Sequence, residues 1–500
     1  MISFVILIGL LIFLVKRFLN SDSFHLRTIP TPSSYPVIGN LALFAGLSKC
    51  DTFQLICDHF RQFPRCFRYD IAIRQLICVG DPDLIQQVLN SNVCQEKPFM
   101  YKFLEVDYGL LSASYIDWKE YRKMLNPAFN QKILSGFVSI FDQCARALVE
   151  ALGNSRSRSE IDLLPFTSHC TLQMICQSSL GSDIASDPKT IEFCNILEEL
   201  LGILSARVFK LAFYNEWIYR RSESYRRQQA IRAKMRSLIE PVIKQKRESM
   251  KTNMFLTNLE DKEFDRKPRI FVDQLLQMER NEQKISLDEI QNHIYTIIGA
   301  GNETSALQSS FVLLMLAMNP DIQEKVFLEL NAIYTRSDEP LNYNSLKSQS
   351  YLEAVIKETL RLFPVAPMVG RQTLEPIQLG QGLPLIPAGV TILINLFVLH
   401  RRPDLWGPTA NQFNPNRFLA KEISNQHPFA FIPFAGGPRN CIGYRYAMLS
   451  MKAIVSHVVR NFKLSTRLRM EQLRLYHEVT LRLEGGFLVT VVKRTQSSES

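Results

Sequence analysis

The sequence lacks the patterns that mark several large classes of protein. Its ten cysteines are scattered and include no C-x-x-C pair, which excludes a small secreted disulfide scaffold and suits a reducing compartment. No H-E-x-x-H, P-loop, G-x-S-x-G or complete G-x-G-x-x-G motif occurs, so nothing indicates a zinc protease, a nucleotide hydrolase, a serine hydrolase or a bound hydride donor. Only residues 1–15 form a long apolar run, which excludes a polytopic membrane protein.

The composition supplies enough apolar sequence for a large core. Of the 500 residues, 46% are hydrophobic and 21% are charged, so the chain is neither disordered nor one small domain. The net charge is +10, and residues 207–247 alone hold twelve Lys/Arg against three Glu. No zinc-finger, RNP or helix-turn-helix pattern accompanies this basic segment, so we expect no nucleic-acid partner. Anionic lipid, an acidic protein and plain solvent all stay open for it.

The first forty residues predict attachment to a membrane. Residues 1–19 are interpreted as a signal-anchor, because Lys16-Arg17 follow the apolar run directly and should stay in the cytosol. A cleaved signal peptide is the alternative, but it would need a basic segment before the run and a small-x-small cleavage site. Residues 20–40 contain three prolines close together and predict a stiff linker to a folded domain over residues 41–500.

Helical spacing dominates the rest of the chain. Ser286 and Glu289 form a capping box and Asn319-Pro320 a stop, which predicts a helix over residues 286–318 that is roughly 50 Å long. Further helices are predicted at residues 220–247, 321–334 and 350–363. Strand hairpins are predicted near residues 68–79 and 384–395. The predicted fold class is mainly α with a smaller β region.

Residues 434–443, F-A-G-G-P-R-N-C-I-G, predict a tight loop that presents Cys441 at the start of a helix over residues 442–455. The dipole and free N–H groups of a helix amino terminus favour a thiolate. A thiolate held by loop N–H groups is what a haem iron needs from a fifth ligand. Gly443 would let the backbone approach a flat macrocycle, and Arg439 could reach one of its carboxylates.

In this decapeptide the chain resembles the cytochrome P450 superfamily, whose signature F-x-x-G-x-R-x-C-x-G is matched at every fixed position. The resemblance extends from the proline linker to the carboxyl-terminal hairpin. It implies the cytochrome P450 fold, with the long central helix crossing the haem site, and makes residues 41–500 a haem-thiolate catalytic domain. It also implies that Cys441 is the axial ligand of the haem iron and that Phe434 and Gly443 bind the haem.

A second match lies in the central helix, at Ala300-Gly301-Asn302-Glu303-Thr304. Small residues share one helix face with Thr304, whose hydroxyl can bond back to the Ala300 carbonyl. Taken alone, this could be a packed helix with one internally bonded threonine. The resemblance implies that Gly301 borders a groove for dioxygen beside the haem, and that Glu303 and Thr304 are the acid–alcohol pair that delivers protons to it.

The remaining matches concern charged residues that would be ordinary surface pairs in isolation. The resemblance implies that the haem propionates are held by Trp118, Arg122, Arg371 and Arg439. It implies a buried structural network made of Glu358, Arg361 and Arg417.

Motifs within residues 109–129 look most like the fourth family of the superfamily and its insect relatives. Some of that branch bind haem covalently through a Glu just before the helix glycine. Ala300 occupies that position, so we expect haem b without a covalent link there. The substrate pocket carried over by position is mostly apolar and implies a lipophilic substrate. It comprises residues 101–116, 197–213, 294–300, 365–369 and 486–488.

The predicted activity is insertion of one oxygen atom from O2 into a fatty acid, a steroid or hormone, or a xenobiotic. Electrons would come from an NADPH-dependent cytochrome P450 reductase, with cytochrome b5 as a further candidate donor. The enzyme would sit on the endoplasmic reticulum membrane with its catalytic domain in the cytosol. A haem-thiolate isomerase or dehydratase of peroxides, needing no reductase, is an alternative that the presence of Glu303 and Thr304 disfavours. A non-catalytic haem-binding protein is the other.

Overall fold

A computed structural model describes most of the chain after the predicted anchor. The described residues are 9, 26–35, 38–71, 74–104, 109–155, 160–181, 196, 199–200, 202–207, 210–256, 270–280, 286–336, 338–419 and 426–494. The anchor predicted over residues 1–19 lies outside them apart from Gly9, as does part of the predicted linker. Within the described ranges, no helix combines the length and the hydropathy needed to cross a membrane.

Helices make up most of the described chain, as predicted. In the first half they are α1 (Lys49–Gln62), α2 (Pro82–Asn90), α3 (Tyr115–Leu125), α4 (Gln131–Gly136), α5 (Val138–Asn154), α6 (Leu164–Leu180), α7 (Glu216–Arg221), α8 (Glu223–Leu256) and α9 (Phe271–Arg280). In the second half they are α10 (Leu287–Met318), α11 (Pro320–Ile333), α12 (Tyr343–Ser348), α13 (Ser350–Leu362), α14 (Leu396–Leu399), α15 (Pro403–Trp406) and α16 (Tyr444–Asn461). Shorter 3-10 turns are Leu26–Thr28, Asn40–Phe44, Asn92–Cys94, Phe99–Leu104, Asn126–Phe129, Leu211–Tyr214, Pro415–Phe418 and Met470–Gln472.

The β region consists of small sheets. Its strands are β1 (Cys66–Ile71), β2 (Arg74–Val79), β3 (Ile161–Asp162), β4 (Met368–Gln372), β5 (Ile377–Gln378), β6 (Leu385–Ile386), β7 (Thr391–Asn395), β8 (Phe462–Ser465), β9 (Leu475–His477), β10 (Leu481–Leu483) and β11 (Leu488–Lys493). The largest sheet has the order β1-β2-β7-β4, in which only β2 and β7 are parallel. The others are β3-β11-β8, β5-β6 and β9-β10.

The central helix α10 begins and ends where the sequence predicted. Ser286 is its N-cap in a complete capping box with Glu289, and Asn319 is its C-cap. Residues 305–317 are buried all around although four of them are polar, and α10 packs against α6, α13 and α16. The stretch just before it is less covered, and Ala300 is exposed. One half of α10 is therefore core, and the other half borders open space.

Two of the predicted elements are wrong in detail. The hairpin predicted over residues 384–395 has its turn, with Gly389 at φ +79°, but β6 pairs with β5, and β7 pairs with β2 and β4. Alternation identifies a strand but not its partner, which long-range packing decides. The helix predicted over residues 220–247 is two helices, because Ser222 is extended (ψ 156°) and accepts a hydrogen bond from the Tyr225 N–H, as an N-cap does.

Candidate active site

A cavity of roughly 1390 Å³ lies between α10 and the loop that carries Cys441. Cys441 and Ala300 are exposed, and the surface that exposes them is the wall of this cavity. Phe434, Gly443, Gly301 and Thr304 line it as well. Its volume exceeds the roughly 300–1,000 Å³ of ordinary ligand pockets, so it has room for a large group and a second molecule.

The loop before α16 is fixed by backbone geometry that few sequences permit. Gly437 has φ +72°, and a Cβ there would lie 2.0 Å from the Leu89 carbonyl oxygen, so only glycine fits. Ala435 also has a positive φ (58°), and the Cys441 N–H donates to the Phe434 carbonyl at 3.0 Å. The loop is thereby closed on itself, with the thiol at its end. The following helix begins at Tyr444 and ends at Asn461, later than predicted at both ends.

Opposing effects act on the Cys441 thiol, which is exposed to the cavity. Removal from bulk solvent raises the pKa of the thiol, whereas the Gly443 N–H and the Arg122 charge lower it. A bound cationic metal would reverse this balance, since a coordinating thiol is deprotonated outright.

A cluster of three cations, Lys97, Arg371 and Arg439, lies beside the cavity with few acceptors. Arg371 Nε and Nη2 and Arg439 Nε are buried without a hydrogen-bond partner among the described residues. Among the described residues, the hydrogen-bond acceptors of Arg439 are the backbone carbonyls of Gln95 and Ala113. Burial and the neighbouring charge of Arg371 lower the pKa of Arg439 to about 10, and burial with both arginines holds the pKa of Lys97 well below its ordinary value. Buried cations of this kind require an anion.

Lys97 is the member of this cation cluster that sequence reasoning missed. It lines the cavity, as Arg439 does, whereas Arg371 lies behind the wall with 1% of its surface exposed. No spacing rule connects residue 97 with residues 371 and 439, since the three meet only in the folded chain. The feature that could have drawn attention to it is a lysine directly before the apolar run Pro98-Phe99-Met100-Tyr101.

Trp118 and Arg122 both lie on α3, as their spacing predicted, and both face the Cys441 loop. Arg122 donates to the Asn440 carbonyl (2.6 Å), to Asn440 Oδ1 (2.8 Å) and to Asn126 Oδ1 (2.8 Å). Trp118 is 5% exposed, and the Arg439 guanidinium lies 5.1 Å from the centre of its ring. Arg122 thus hydrogen-bonds to Asn440, the residue next to Cys441, and Trp118 packs against the guanidinium of Arg439.

Two side chains of α10 are bonded in different directions. Thr304 Oγ1 donates to the Ala300 carbonyl at 2.6 Å, the predicted bond, and the helix continues without interruption. Glu303 accepts from Thr480 Oγ1 at 2.9 Å and from Arg482 Nη2 at 2.7 Å. The sequence did not indicate either partner of Glu303, because both lie in the β9-β10 hairpin near the end of the chain.

Gly301 lies where α6 packs closely against α10, at the edge of the cavity. A Cβ at this position would lie 3.0 Å from Ile175 Cδ1 of α6. The same helix contributes Thr171, whose hydroxyl donates to Asn302 Oδ1 at 2.7 Å. The close approach of α6 therefore fixes the height of α10 over the Cys441 loop.

The structure brings Glu358, Arg361 and Arg417 together. Glu358 and Arg361 are fully buried and joined by two hydrogen bonds of 2.7 Å, and Arg417 Nε lies 3.6 Å from Glu358 Oε1. The remaining donors of Arg361 reach the carbonyls of His400, Ala410 and Gln412. The network ties α13 to the segment that leads towards the Cys441 loop.

The substrate pocket expected from position is correct in part. Cavity-lining residues fall within the ranges 101–116, 197–213, 294–300 and 365–369, although residues 105–108 lie outside the described part. The range 486–488 is wrong, because Phe487 is 1% exposed and packs against Phe311. Residues 477–480 of the β9-β10 hairpin line the cavity instead.

These residues fit an iron porphyrin. The cavity offers a thiol for a metal, small residues opposite it, and apolar walls for a flat macrocycle. The orphaned N–H groups of the cation cluster are suited to the carboxylates at the edge of such a macrocycle.

Comparison with known proteins agrees with this fit. The family model described as Cytochrome P450 matches residues 29–491. The chain is similar to Cytochrome P450 4c21 of Blattella germanica, at 29% identity over 88% of each chain. It is similar to Probable cytochrome P450 313a4 of Drosophila melanogaster, at 30% identity over 99% of this chain and 100% of that protein. It is similar to Cytochrome P450 4V2 of Homo sapiens, at 28% identity over 94% of this chain and 90% of that protein.

These matches confirm the resemblance drawn from the decapeptide, including its closeness to the fourth family and insect relatives. They also confirm the predicted fold class, which the helices and small sheets display. The chain belongs to the cytochrome P450 family and is a monooxygenase with a haem-thiolate iron cofactor.

Proposed function

We propose that this enzyme inserts one oxygen atom from O2 into a lipophilic substrate, with Cys441 as the axial ligand of the haem iron. The observation that supports the assignment is the position of Cys441. It is the cysteine among the cavity-lining residues, and it lines the same cavity as Ala300 and Thr304 of α10. The substrate class is a fatty acid, a steroid or hormone, or a xenobiotic, since the cavity is large and mostly apolar.

The iron porphyrin, when bound, supplies the reductive activation of O2. The chain holds and shields it. The Gly443 N–H lowers the pKa of the Cys441 thiol, and Arg122 holds Asn440 next to it. Arg439 and Lys97 would neutralise the carboxylates at the edge of the porphyrin. Arg371 is buried behind them, and the ring of Trp118 lies against the Arg439 guanidinium. Phe434 and Gly443 form the floor beside the thiol.

Proton delivery falls to Thr304 and Glu303. The Thr304 hydroxyl, which now donates to the Ala300 carbonyl, can rotate and present its proton to the cavity. Glu303 is the preceding residue and carries a carboxyl group, so when protonated it can replace that proton. The walls of the cavity are mostly apolar, so we expect protons to reach this pair from its polar edge, where Glu303 meets the β9-β10 hairpin.

The cofactor is haem b held without a covalent link through position 300. Ala300 has no carboxylate and cannot form an ester with a haem methyl group. Retention of the haem therefore rests on the Cys441 bond, on apolar contact and on the cation cluster. Glu358, Arg361 and Arg417 support the loop indirectly as scaffold.

Electrons are proposed to come from NADPH-cytochrome P450 reductase, with cytochrome b5 as a second donor. The predicted anchor over residues 1–19, the linker over 20–40 and the domain over 41–500 place the enzyme on the cytosolic face of the endoplasmic reticulum membrane. Lys16-Arg17 after the apolar run support that orientation. No nucleic acid is involved.

The test of ligation compares Cys441→Ser with Cys50→Ser, a cysteine outside the cavity wall. Purified wild type and Cys50→Ser should give the long-wavelength Soret band of a thiolate-bound ferrous–CO haem, and Cys441→Ser should lack it while keeping its helical circular dichroism. Retention of that band in Cys441→Ser would overturn the assignment. A haem spin-state screen with lipids, steroids and xenobiotics then identifies the substrate class.

The test of proton delivery uses Thr304→Ala with purified reductase. We expect NADPH consumption to continue while product per NADPH falls, with the balance appearing as hydrogen peroxide or water. Thr296→Ala is the matched control, because Thr296 lies about two turns earlier in α10 and its hydroxyl likewise donates to the carbonyl four residues before it. Equal coupling in both variants would contradict the role of Thr304. Turnover with peroxide but never with reductase would favour the peroxide isomerase alternative.

A further inference from the structure

Glu303 is held by an ion pair with a residue of another element of the fold. Its carboxylate accepts from Arg482 Nη2 at 2.7 Å and from Thr480 Oγ1 at 2.9 Å. The side chains of Glu303 and Arg482 are 12% and 13% exposed, so the pair is largely withdrawn from solvent. A buried charge-assisted bond of this kind fixes a carboxylate in one orientation. The acid next to Thr304 is therefore occupied by another element of the fold.

Arg482 lies between two carboxylates. Its Nε is 3.6 Å from Glu478 Oε2, and Glu478 Oε1 is 2.5 Å from Lys49 Nζ. Lys49 is 70% exposed, whereas Glu478 is 16% exposed. Charges of alternating sign thus run from the central helix to the outer surface through Glu303, Arg482, Glu478 and Lys49. We call this series the charge chain.

The charge chain is built on a hairpin that is anchored at both ends. Arg482 and Tyr476 are paired across β9-β10, and the Leu481 N–H donates to the Val365 carbonyl at 2.8 Å. At the outer end Lys49 is in the first turn of α1, where the helix dipole disfavours a cation. The hydrogen bond with Glu478 raises the pKa of Lys49 and accounts for its position. The hairpin therefore holds Arg482 at a defined distance from both acids.

We propose that Arg482 is a positioning residue whose guanidinium alternates between Glu303 and Glu478. When the guanidinium moves towards Glu478, the Glu303 carboxylate is released and can turn into the cavity. Released Glu303 is protonated by a hydronium ion of the solvent at the cavity edge, which leaves as water, and gives that proton to Thr304 Oγ1. The hydroxyl proton of Thr304 passes in turn to the O2-derived oxygen atom that is released as water. The carboxylate then returns, ionised, to Arg482. Both Glu303 and Glu478 line the cavity, so the exchange needs side-chain rotation alone. This inference rests on the proposed role of Glu303.

The first arm of the test is Arg482→Gln, with Arg467→Gln as control because Arg467 is an exposed arginine of the same carboxyl-terminal β region. Without its cation Glu303 is no longer returned to one ionised orientation between transfers, so the timing of proton delivery is lost. Product per NADPH should fall about fivefold to tenfold, with an altered solvent deuterium isotope effect on kcat. Arg482→Lys should restore part of the loss. Coupling and isotope effect equal to those of Arg467→Gln would overturn the proposal.

The second arm is Glu478→Gln, which is informative even if Arg482→Gln does not fold. Removing the second carboxylate leaves Arg482 on Glu303, so kcat should fall and its solvent isotope effect should rise while product per NADPH stays near the wild-type value. An unchanged kcat and isotope effect in Glu478→Gln would overturn the exchange.

A readout independent of turnover comes from unfolding of the haem-free chain. Glu303→Gln and Arg482→Gln should each lower the urea midpoint, and the double variant should fall by less than the sum of the two shifts. Additive shifts would overturn the pairing. In every arm the variants should retain the thiolate-type CO spectrum, and loss of that spectrum in the wild type would instead refute the haem ligation of the proposed function.

Discussion

Two groups of buried arginines differ in how their donors are satisfied. Arg361 makes five hydrogen bonds, two to Glu358 and three to backbone carbonyls. Arg371 makes one, to the Gly370 carbonyl, and its Nε and Nη2 have no partner among the described residues. Unpaired buried donors are costly, and those of Arg371 and Arg439 occur together beside the cavity, so we interpret Arg361 as scaffold and the cation cluster as a binding site. Arg361 is complete within the chain, whereas the cation cluster of Lys97, Arg371 and Arg439 awaits an anion.

The largest loss of folding stability should come from disrupting the ion pair of Arg361 with Glu358. Arg361→Gln leaves Glu358 buried without its cation, which should destabilise the fold by about 3–5 kcal/mol. Urea unfolding should show the same loss with and without haem, since neither residue contacts the cavity. Arg336→Gln, which removes an exposed pair with Asp338, is the control and should shift the midpoint little. A small shift for Arg361→Gln would remove the distinction between the two groups.

The next largest effect should be on the rate of haem loss, when a cation of the cluster formed by Lys97, Arg371 and Arg439 is removed. Arg439→Gln removes a cation from the carboxylate edge and should speed haem transfer to excess apomyoglobin by about 10–100-fold. Arg439→Lys keeps the charge, so its rate of haem transfer should lie between those of the wild type and Arg439→Gln. The haem-free chain should tolerate Arg439→Gln far better than Arg361→Gln, because the substitution relieves repulsion from Arg371. Unfolding losses as large as those of Arg361→Gln would mean that Arg439 is scaffold as well.

Lys97 should make the stability of the haem-free chain depend on pH. Burial and the two arginines lower its pKa in the folded chain, so below the ordinary lysine value of 10.5 the unfolded chain binds more protons than the folded one. Its charge therefore destabilises the haem-free fold at neutral pH, and this penalty fades as the pH rises towards 10.5.

Lys97→Met should accordingly stabilise the haem-free chain by about 1 kcal/mol at neutral pH and by less at alkaline pH, while haem is lost faster. Lys102→Met, which removes an exposed lysine nearby, should change neither quantity. Denaturant titrations of both variants at several pH values measure the difference. A stabilisation that grows with pH would contradict the sign.

The smallest effect should come from Trp118→Phe. The ring still covers Arg439 but offers a weaker face to its charge, a difference of about 0.5–1 kcal/mol. Haem transfer should therefore accelerate about twofold to fivefold, far less than for Arg439→Gln. Trp217→Phe, at a tryptophan that is 64% exposed, should leave the rate unchanged. A loss as large as that of Arg439→Gln would show that Trp118 contacts the macrocycle itself.

Local signals predicted the elements of the site well. The capping box of Ser286 and Glu289 set the start of α10, and the bond from Thr304 to Ala300 follows from a spacing of four residues. The glycine-rich loop before Cys441 was visible because Gly437 permits a backbone that a side chain forbids. Each of these features depends on interactions within one or two turns of chain.

Signals failed where a residue had to find a partner far along the chain. The pattern around Gly389 predicted strands, yet β6 and β7 belong to different sheets. The acid in Glu303 was predicted to serve Thr304, but the ion pair with Arg482, 179 residues away, was not foreseen. The chain has 58 lysines and arginines, and residue type alone does not say which of them meets a given acid.

The order of residues by itself determined the family, the thiol and the helix that faces it, because glycines, caps and helical spacing act over a few residues. Only the tertiary structure decided which charges remain unpaired beside the cavity and which are paired, because that depends on desolvation and on contacts between distant segments. Lys97 joins Arg371 and Arg439, and Arg482 reaches Glu303, through folding alone.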